Sequence, residues 1–376
     1  MSQTTKVFLI CSGLGHVRRG FESFFEQCFA ELADEPSLRV TLFRGAGVSS
    51  RRNDRVLSVP LRESVTARRI GRVLRCNPNE SEQTLFAARL VPYLLREKPD
   101  VVYFSQDRIG ELLAAIRRRT GLRYRLLFRN GSPHHPPFPL WDVVQQLSPV
   151  HYDAAIEWGE SPQKHRILPN AIAVDQAIPV RDSDQKMAIR RRLGLPTEKP
   201  ILLSVAAINA SQKRIDYVIR EAASLPEEQR PFLLLLGQRD VETPSIEALA
   251  QSLLRSDDYA IETALPEAVP DYYQAADVFT LASHREGFGR AYAEALSYGL
   301  PCLADDNALT RYVFGGHGFL GDLSQSGVLA EMIRGALHRV EDADMVRKRH
   351  QYVHETFSWA ALRESYIRMF YEAAEA

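Results

Sequence analysis

Residues 283–306 read SHREGFGRAYAEALSYGLPCLADD, and this stretch decides the fold. The apolar run VFTLAS before it is a strand, HREGFG a loop, and RAYAEALSYG a helix that begins close to Gly289 and ends at Gly299-Leu300-Pro301. Strand, glycine loop and helix together make the repeating half of a parallel α/β layer. Gly287 and Gly289 let backbone amides approach a ligand, and the helix start favours a phosphate. Glu286 falls on the loop and Glu294 on about the second helical turn. The two carboxylates can hold hydroxyls at opposite ends of one ligand, with phosphates between them; solvated acids at a helix start are the alternative.

The same alternation extends outward in both directions. Strands are expected at Lys6–Cys11, Arg39–Phe43, Val101–Ser105, Tyr124–Phe128 and Ala154–Ile156, then at Ile201–Val205, Phe232–Leu236, Ala260–Glu262, Val278–Leu281 and Cys302–Ala304. Helical patterns at Gly20–Ala33, Glu82–Arg96, Arg108–Arg119, Ile215–Ala223 and Ile246–Leu254 separate them. The 376 residues exceed one usual core, so two Rossmann-like α/β/α domains facing each other across a cleft are expected. The boundary belongs in LPNAIAVDQAIPV, Leu168–Val180, giving domains over residues 1–170 and 171–356. A last amphipathic helix, residues 357–376, with Trp359, Leu362, Tyr366 and Phe370 at helical spacing, is expected to pack back on the first domain.

Composition excludes several classes. Apolar residues make up 45% and charged residues 25%, ordinary values for a folded enzyme. Cys11, Cys28, Cys76 and Cys302 are scattered, without zinc-like spacing, which fits a reducing, cytoplasmic setting and no metal. No run approaches the roughly 20 apolar residues of a membrane span. Net charge is zero but uneven: residues 1–170 hold 25 Lys+Arg against 17 Asp+Glu, a net +8, and the remainder holds 22 against 30, a net −8. Between Arg51 and Arg75, eight arginines meet only Asp54 and Glu63. There SVTARRIGRVLRC interleaves Val65, Ile70, Val73 and Leu74 with Arg68, Arg69, Arg72 and Arg75. A solvated helix face and a peripheral contact with an anionic membrane or acceptor both fit; nucleic acid does not, for want of aromatic or base-reading partners.

Two further segments bear on chemistry. CSGLGHVRRG, residues 11–20, follows the first strand and opens a helix, which reads as a tight turn or a ligand-lining loop at a phosphate. It is not the dinucleotide fingerprint, because Arg18 stands at the third glycine position. In ILLSVAAINASQKRIDYVIREAA, Lys213 and Arg214 sit in a strand-to-helix loop, where a basic pair can meet a diphosphate or lie solvated.

With Glu-Gly-Phe-Gly, Glu294 and Gly-Leu-Pro in one stretch, residues 283–301 resemble the signature of the retaining GT-B glycosyltransferases of family 4. LPNAIAVD, LGLP, QKRIDYVI, LPEAVPDYYQAADVFTLAS and FSWAALRESY agree less sharply. The resemblance implies transfer of a sugar from a nucleotide-diphosphate-sugar to a hydroxyl of a glycan, lipid or small metabolite, with no metal and no further cofactor. It implies that Glu286 holds hydroxyls of the donor sugar, that Gly287, Phe288 and Gly289 give backbone contacts, and that Glu294 binds the ribose. The resemblance further implies that Lys213 neutralises the diphosphate and that Gly13 and Gly15 line it or the acceptor. Acceptor-side candidates are His134 and His135 in LLFRNGSPHHPPFPLWD, with His16 and Arg18. The chain departs from the pattern at Ala206-Ala207-Ile208-Asn209, where an arginine is usual, with Arg214 the residue that can compensate. It departs again at Asp305-Asp306-Asn307. A sugar-nucleotide epimerase and a catalytically weak nucleotide-sugar-binding partner subunit share these features and are the alternatives.

Overall fold

The apolar runs Ile201–Val205 and Val278–Leu281 are hydrogen-bonded neighbours in one parallel sheet. The computed structural model describes residues 4–17, 20–49, 51–61, 64–74, 77–132, 134–177, 183–339 and 343–376. Arg18, Arg62, Glu63, Arg75 and Cys76 lie outside them. The chain divides into two units, Met1–Ala171 with Leu362–Ala376, and Ile172–Ala361.

Among the described residues the first unit holds seven parallel strands: β1 (Thr5–Cys11), β2 (Leu38–Arg44), β3 (Asp54–Val56), β4 (Val101–Phe104), β5 (Arg125–Arg129), β6 (Val143–Gln146) and β7 (His165–Ile167). Their order is β3-β2-β1-β4-β5-β6-β7. The second unit holds β8 (Ile201–Val205), β9 (Phe232–Leu236), β10 (Tyr259–Glu262), β11 (Val278–Leu281), β12 (Cys302–Asp305) and β13 (Phe319–Gly321), in the order β10-β9-β8-β11-β12-β13. Central strands such as β4, β9 and β11 are buried along their whole length, as parallel strands covered on both faces must be. In each sheet the order reverses once, at β1/β4 and at β8/β11. Ligands of such sheets bind outside the carboxyl ends of the strands at that reversal.

The strand expected at Ala154–Ile156 is instead inside the helix Pro149–Glu157. The Ser148 side chain accepts from the His151 amide and Pro149 occupies the first turn, a start signal that outweighs a three-residue apolar run. The strand at this place is β6, whose sequence VVQQ looks half polar. Gln145 and Gln146 are nonetheless fully buried, and Gln145 Nε2 donates to the Leu168 carbonyl at 2.7 Å and to Tyr366 at 3.2 Å.

The last helix, Trp359–Glu375, adds its residues from Leu362 onward to the first unit. Tyr366 and Phe370 are fully buried. The Tyr366 hydroxyl donates to the Pro169 carbonyl at 2.7 Å, and Phe370 meets Tyr103 edge-on at 5.4 Å. Burial of two such rings ties the helix down by several kcal/mol at roughly 25 cal/mol per Å².

Candidate active site

The loops after β8 and β11 lie side by side at the second sheet's reversal point. Asn209 shapes the first: its Oδ1 accepts the Lys213 amide at 2.9 Å, and its Nδ2 donates to Asp240 at 2.8 Å. The Glu242 carboxylate accepts the amides of Ala210 and Ser211 at 2.9 and 3.0 Å and the Ser211 hydroxyl. These bonds hold the Glu242 carboxyl below its usual range, the Ser211 hydroxyl being the largest influence. The turn is set before any ligand arrives. The His284 amide then donates to the Gln212 carbonyl at 3.0 Å, joining the two loops. At this junction Lys213 Nζ lies 2.5 Å from Glu286 Oε1, with the two side chains only 16% and 17% exposed.

The signature helix is Arg290–Ser297, with Gly289 before its first turn at φ +77° and no side-chain cap. A Cβ at Gly289 would lie 2.6 Å from the Tyr292 ring, so position 289 requires glycine for both conformation and space. Phe288 is buried against Phe357, edge-on at 5.1 Å. Its side chain serves the core, leaving backbone to face a ligand. Glu294 is held from two sides: Tyr273 donates to Oε2 at 3.0 Å, and Arg290 donates to Oε1 through Nε at 3.2 Å and Nη2 at 3.0 Å. Burial, then the nearby Glu294, pushes the Tyr273 hydroxyl well above its ordinary range, so it remains a donor. Neither partner was among the sequence candidates. Arg290 was findable, four residues before an acid on a helix, whereas Tyr273 comes from another helix, Val269–Ala275, and left no local signal.

Arg214 is placed differently from Lys213. It adopts φ +51° ahead of the helix Ile215–Ala223, donates to the Leu323 carbonyl at 2.9 Å, and lies 4.2 Å over the Tyr217 ring. The Asp305-Asp306-Asn307 segment has structural partners: Asp305 accepts the Leu323 amide, Asp306 pairs with Arg311, and Asn307 caps the helix Ala308–Phe314.

In the first unit, Gly13 and Gly15 follow β1. The amides of His16 and Val17 both donate to the Gly13 carbonyl. Gly15 has φ +89°, and a Cβ there would lie 2.0 Å from the Ala46 carbonyl oxygen; the loops after β1 and β2 touch backbone to backbone. Ser12 fixes the loop from the other side, its amide accepted by Gln106 Oε1 at 3.0 Å and its hydroxyl donating to the buried Glu82 at 2.8 Å. The His16 ring meets the Val59 carbonyl at 2.9 Å. His134, after β5, sets its Nδ1 3.2 Å from Asp107 Oδ2 and packs edge-on against Phe128. Burial raises the Asp107 carboxyl while His134 opposes the rise. Asp107 opens the helix Asp107–Thr120 after β4, and only the fold brings it to His134. His135 sits close enough to His151 to lower the latter's pKa, a smaller influence than burial. Among the described residues, no group of three or more His, Cys, Asp or Glu side chains could hold a metal ion. No helix among them is long and apolar enough to cross a membrane.

Residues 185–352 match the family model described as "Glycosyl transferases group 1". A D-inositol 3-phosphate glycosyltransferase of Xylanimonas cellulosilytica is 31% identical over 153 residues, covering 39% of this chain and 36% of that protein. The mannosylfructose-phosphate synthase of Agrobacterium fabrum is 31% identical over 193 residues, covering 48% and 42%. The chain spans between 29% and 49% of the length of such curated relatives. Among solved structures, the sucrose-phosphate synthase of Thermosynechococcus elongatus aligns with TM-score 0.75 at 19% identity over 98% of both chains. Anabaena HepE, solved with UDP and glucose, aligns with TM-score 0.74 at 14% identity over 97% of this chain and 99% of that one. The fold is the GT-B fold of these solved glycosyltransferases. The region similar to the group 1 glycosyl transferases, residues 185–352, lies in the second unit and contains Lys213, Glu286 and Glu294.

Proposed function

We propose that the protein transfers a sugar from a nucleotide-diphosphate-sugar to a hydroxyl acceptor, with retention at the anomeric carbon and without a metal. The observation behind this reading is the meeting of Lys213 and Glu286 at the reversal point of the second sheet, beside the uncapped start of the helix that holds Glu294. Lys213 and the helix N-terminus stabilise the departing diphosphate. Glu286 holds the donor sugar's hydroxyls, and Glu294, fixed by Tyr273 and Arg290, accepts from the ribose. Because Glu286 and Lys213 neutralise each other before the donor binds, the donor exchanges one ion pair for two separate contacts. With Glu286 so engaged, no carboxylate acts as nucleophile, and the leaving phosphate takes the acceptor's proton. His134, oriented by Asp107, belongs to the acceptor side.

UDP, present in the Anabaena structure, is the first nucleotide to try. A thermal-shift panel of UDP-, GDP- and ADP-sugars tests the reading: one nucleotide raises Tm by several degrees in the wild type and not in Glu294→Ala. Absence of any shift across the panel overturns it. Arg214's engagement with Leu323 and Tyr217 favours the weak partner subunit as the second reading, which predicts donor binding without turnover.

The acceptor includes anionic or lipid-linked hydroxyl compounds, and the basic stretch gives a peripheral membrane contact. In support, Val65 is 62% exposed on the helix Val65–Leu74. Cosedimentation with phosphatidylserine vesicles that weakens with salt is expected, and no binding at low salt refutes the contact.

A further inference from the structure

Four buried or half-buried groups beneath the loop after β5 form a chain of hydrogen bonds with only one possible direction. It begins at the His134 amide, which can only donate, and which donates to Asn130 Oδ1 at 2.9 Å. Asn130 Nδ2 donates to Gln146 Oε1 at 2.9 Å, and also to the His134 carbonyl at 3.3 Å. Gln146 Nε2 then faces His165 Nδ1 at 3.2 Å. Since a backbone amide fixes the first link, both carboxamides are oriented and His165 Nδ1 must accept. The imidazole proton is therefore on Nε2, toward Glu160 Oε2 at 3.5 Å. Asn130, Gln146 and His165 are 1%, 0% and 3% exposed, so water cannot replace a lost partner.

We propose that His165 is a positioning residue for the His134 loop, holding it through this one-way chain, and that a proton on His165 reverses the chain. A protonated ring presents N–H at Nδ1 toward the Gln146 amino group. Gln146 must turn to offer its oxygen, Asn130 must then turn as well, and the Asn130 amino group comes to face the His134 N–H. Two donors meet there, and both bonds to the His134 backbone are lost. The other end of the loop stays anchored, because Glu160 Oε1 accepts the Phe138 amide at 2.8 Å and Lys164 donates to the Phe138 carbonyl.

The groups facing His165 are Glu160, Lys164 and Arg166 nearby in sequence, Phe138 from the loop, and Tyr152 edge-on at 6.2 Å from the helix Pro149–Glu157. Glu372 of the last helix engages Arg166 at 2.6 Å. Burial lowers the His165 pKa, with Glu160 opposing, so the uncharged ring is the form present at neutral pH. The inference rests on the function proposed above only for the use made of His134.

The test is amide hydrogen exchange at His134 and NMR titration of the His165 imidazole, both on the full chain without donor or acceptor. In the wild type, exchange corrected for its intrinsic pH dependence should rise about fivefold or more, the equivalent of one net hydrogen bond, with the midpoint of the His165 titration. In His165→Asn, whose Oδ1 stands near the place of Nδ1 and takes no proton, the exchange step should vanish. A step at another midpoint, no step, or a step retained in His165→Asn overturns the proposal; if that variant does not fold, the wild-type coincidence of midpoints decides. A step in exchange with no matching acid limb in kcat/KM leaves the chain intact and removes His134 from the acceptor side.

Discussion

Lys213 and Glu286 stand 2.5 Å apart on loops from two different strands, and a half-desolvated pair of this kind is useful where a ligand can divide it. If the lysine serves the leaving group, Lys213→Ala lowers kcat by about a hundredfold or more. It also weakens a nucleoside diphosphate more than the matching monophosphate, measured by steady-state kinetics and calorimetry. Equal loss for both nucleotides places the lysine elsewhere. Asp107→Asn keeps the shape but removes the charge beside His134 Nδ1; the expected result is a lowered kcat with donor affinity unchanged.

At the scale of elements, glycines fix how close loops come. Gly15 combines φ +89° with a backbone oxygen 2.0 Å from any added Cβ, so Gly15→Ala should cost about 1–3 kcal/mol, read as a lowered urea midpoint at unchanged m. A shift within about 0.5 kcal/mol, the usual size at an unconstrained surface site, means the two loops can part freely. The signature helix is tied at its other end as well: His350 Nδ1 meets the Ser297 carbonyl at 2.6 Å, and Arg349 donates to the Gly299 carbonyl at 3.0 Å. Both come from the helix Ala343–Phe357, so a segment far along the chain sets where Glu294 stands.

For the molecule as a whole, pH acts through one buried and two partly buried imidazoles. His151, His165 and His317 all have lowered pKa values, burial being the largest cause in each. The unfolded chain binds protons at these sites before the folded one does. Stability is therefore full above the ordinary imidazole value of about 6.5 and falls as pH drops through it toward the depressed folded values. Thermal melts between about pH 7.5 and 5 should show this decline, smaller in His165→Asn. Asp277 acts lower on the scale: burial opposes ionisation, but Lys186 and Arg190 hold its carboxyl below the usual range. Its contribution is lost only as pH falls below about 4.

Apolar runs, a glycine loop and paired acids are local features, and they were enough to read the parallel α/β class, most strands and the candidates Lys213, Glu286 and Glu294 from the sequence alone. Period and turn chemistry depend on neighbours in the chain. Side chains that work by meeting across elements could not be read that way. Tyr273 reaches Glu294 from 21 residues away, Asp107 reaches His134 from 27, and Gln146 links Asn130 to His165 only because β5, β6 and β7 lie side by side. The strand β6 itself was missed because its glutamines look exposed until the partners that bury them are in place. Tertiary structure decided these points, since a hydrogen bond's worth depends on the groups and the burial around it, and neither is written in local sequence.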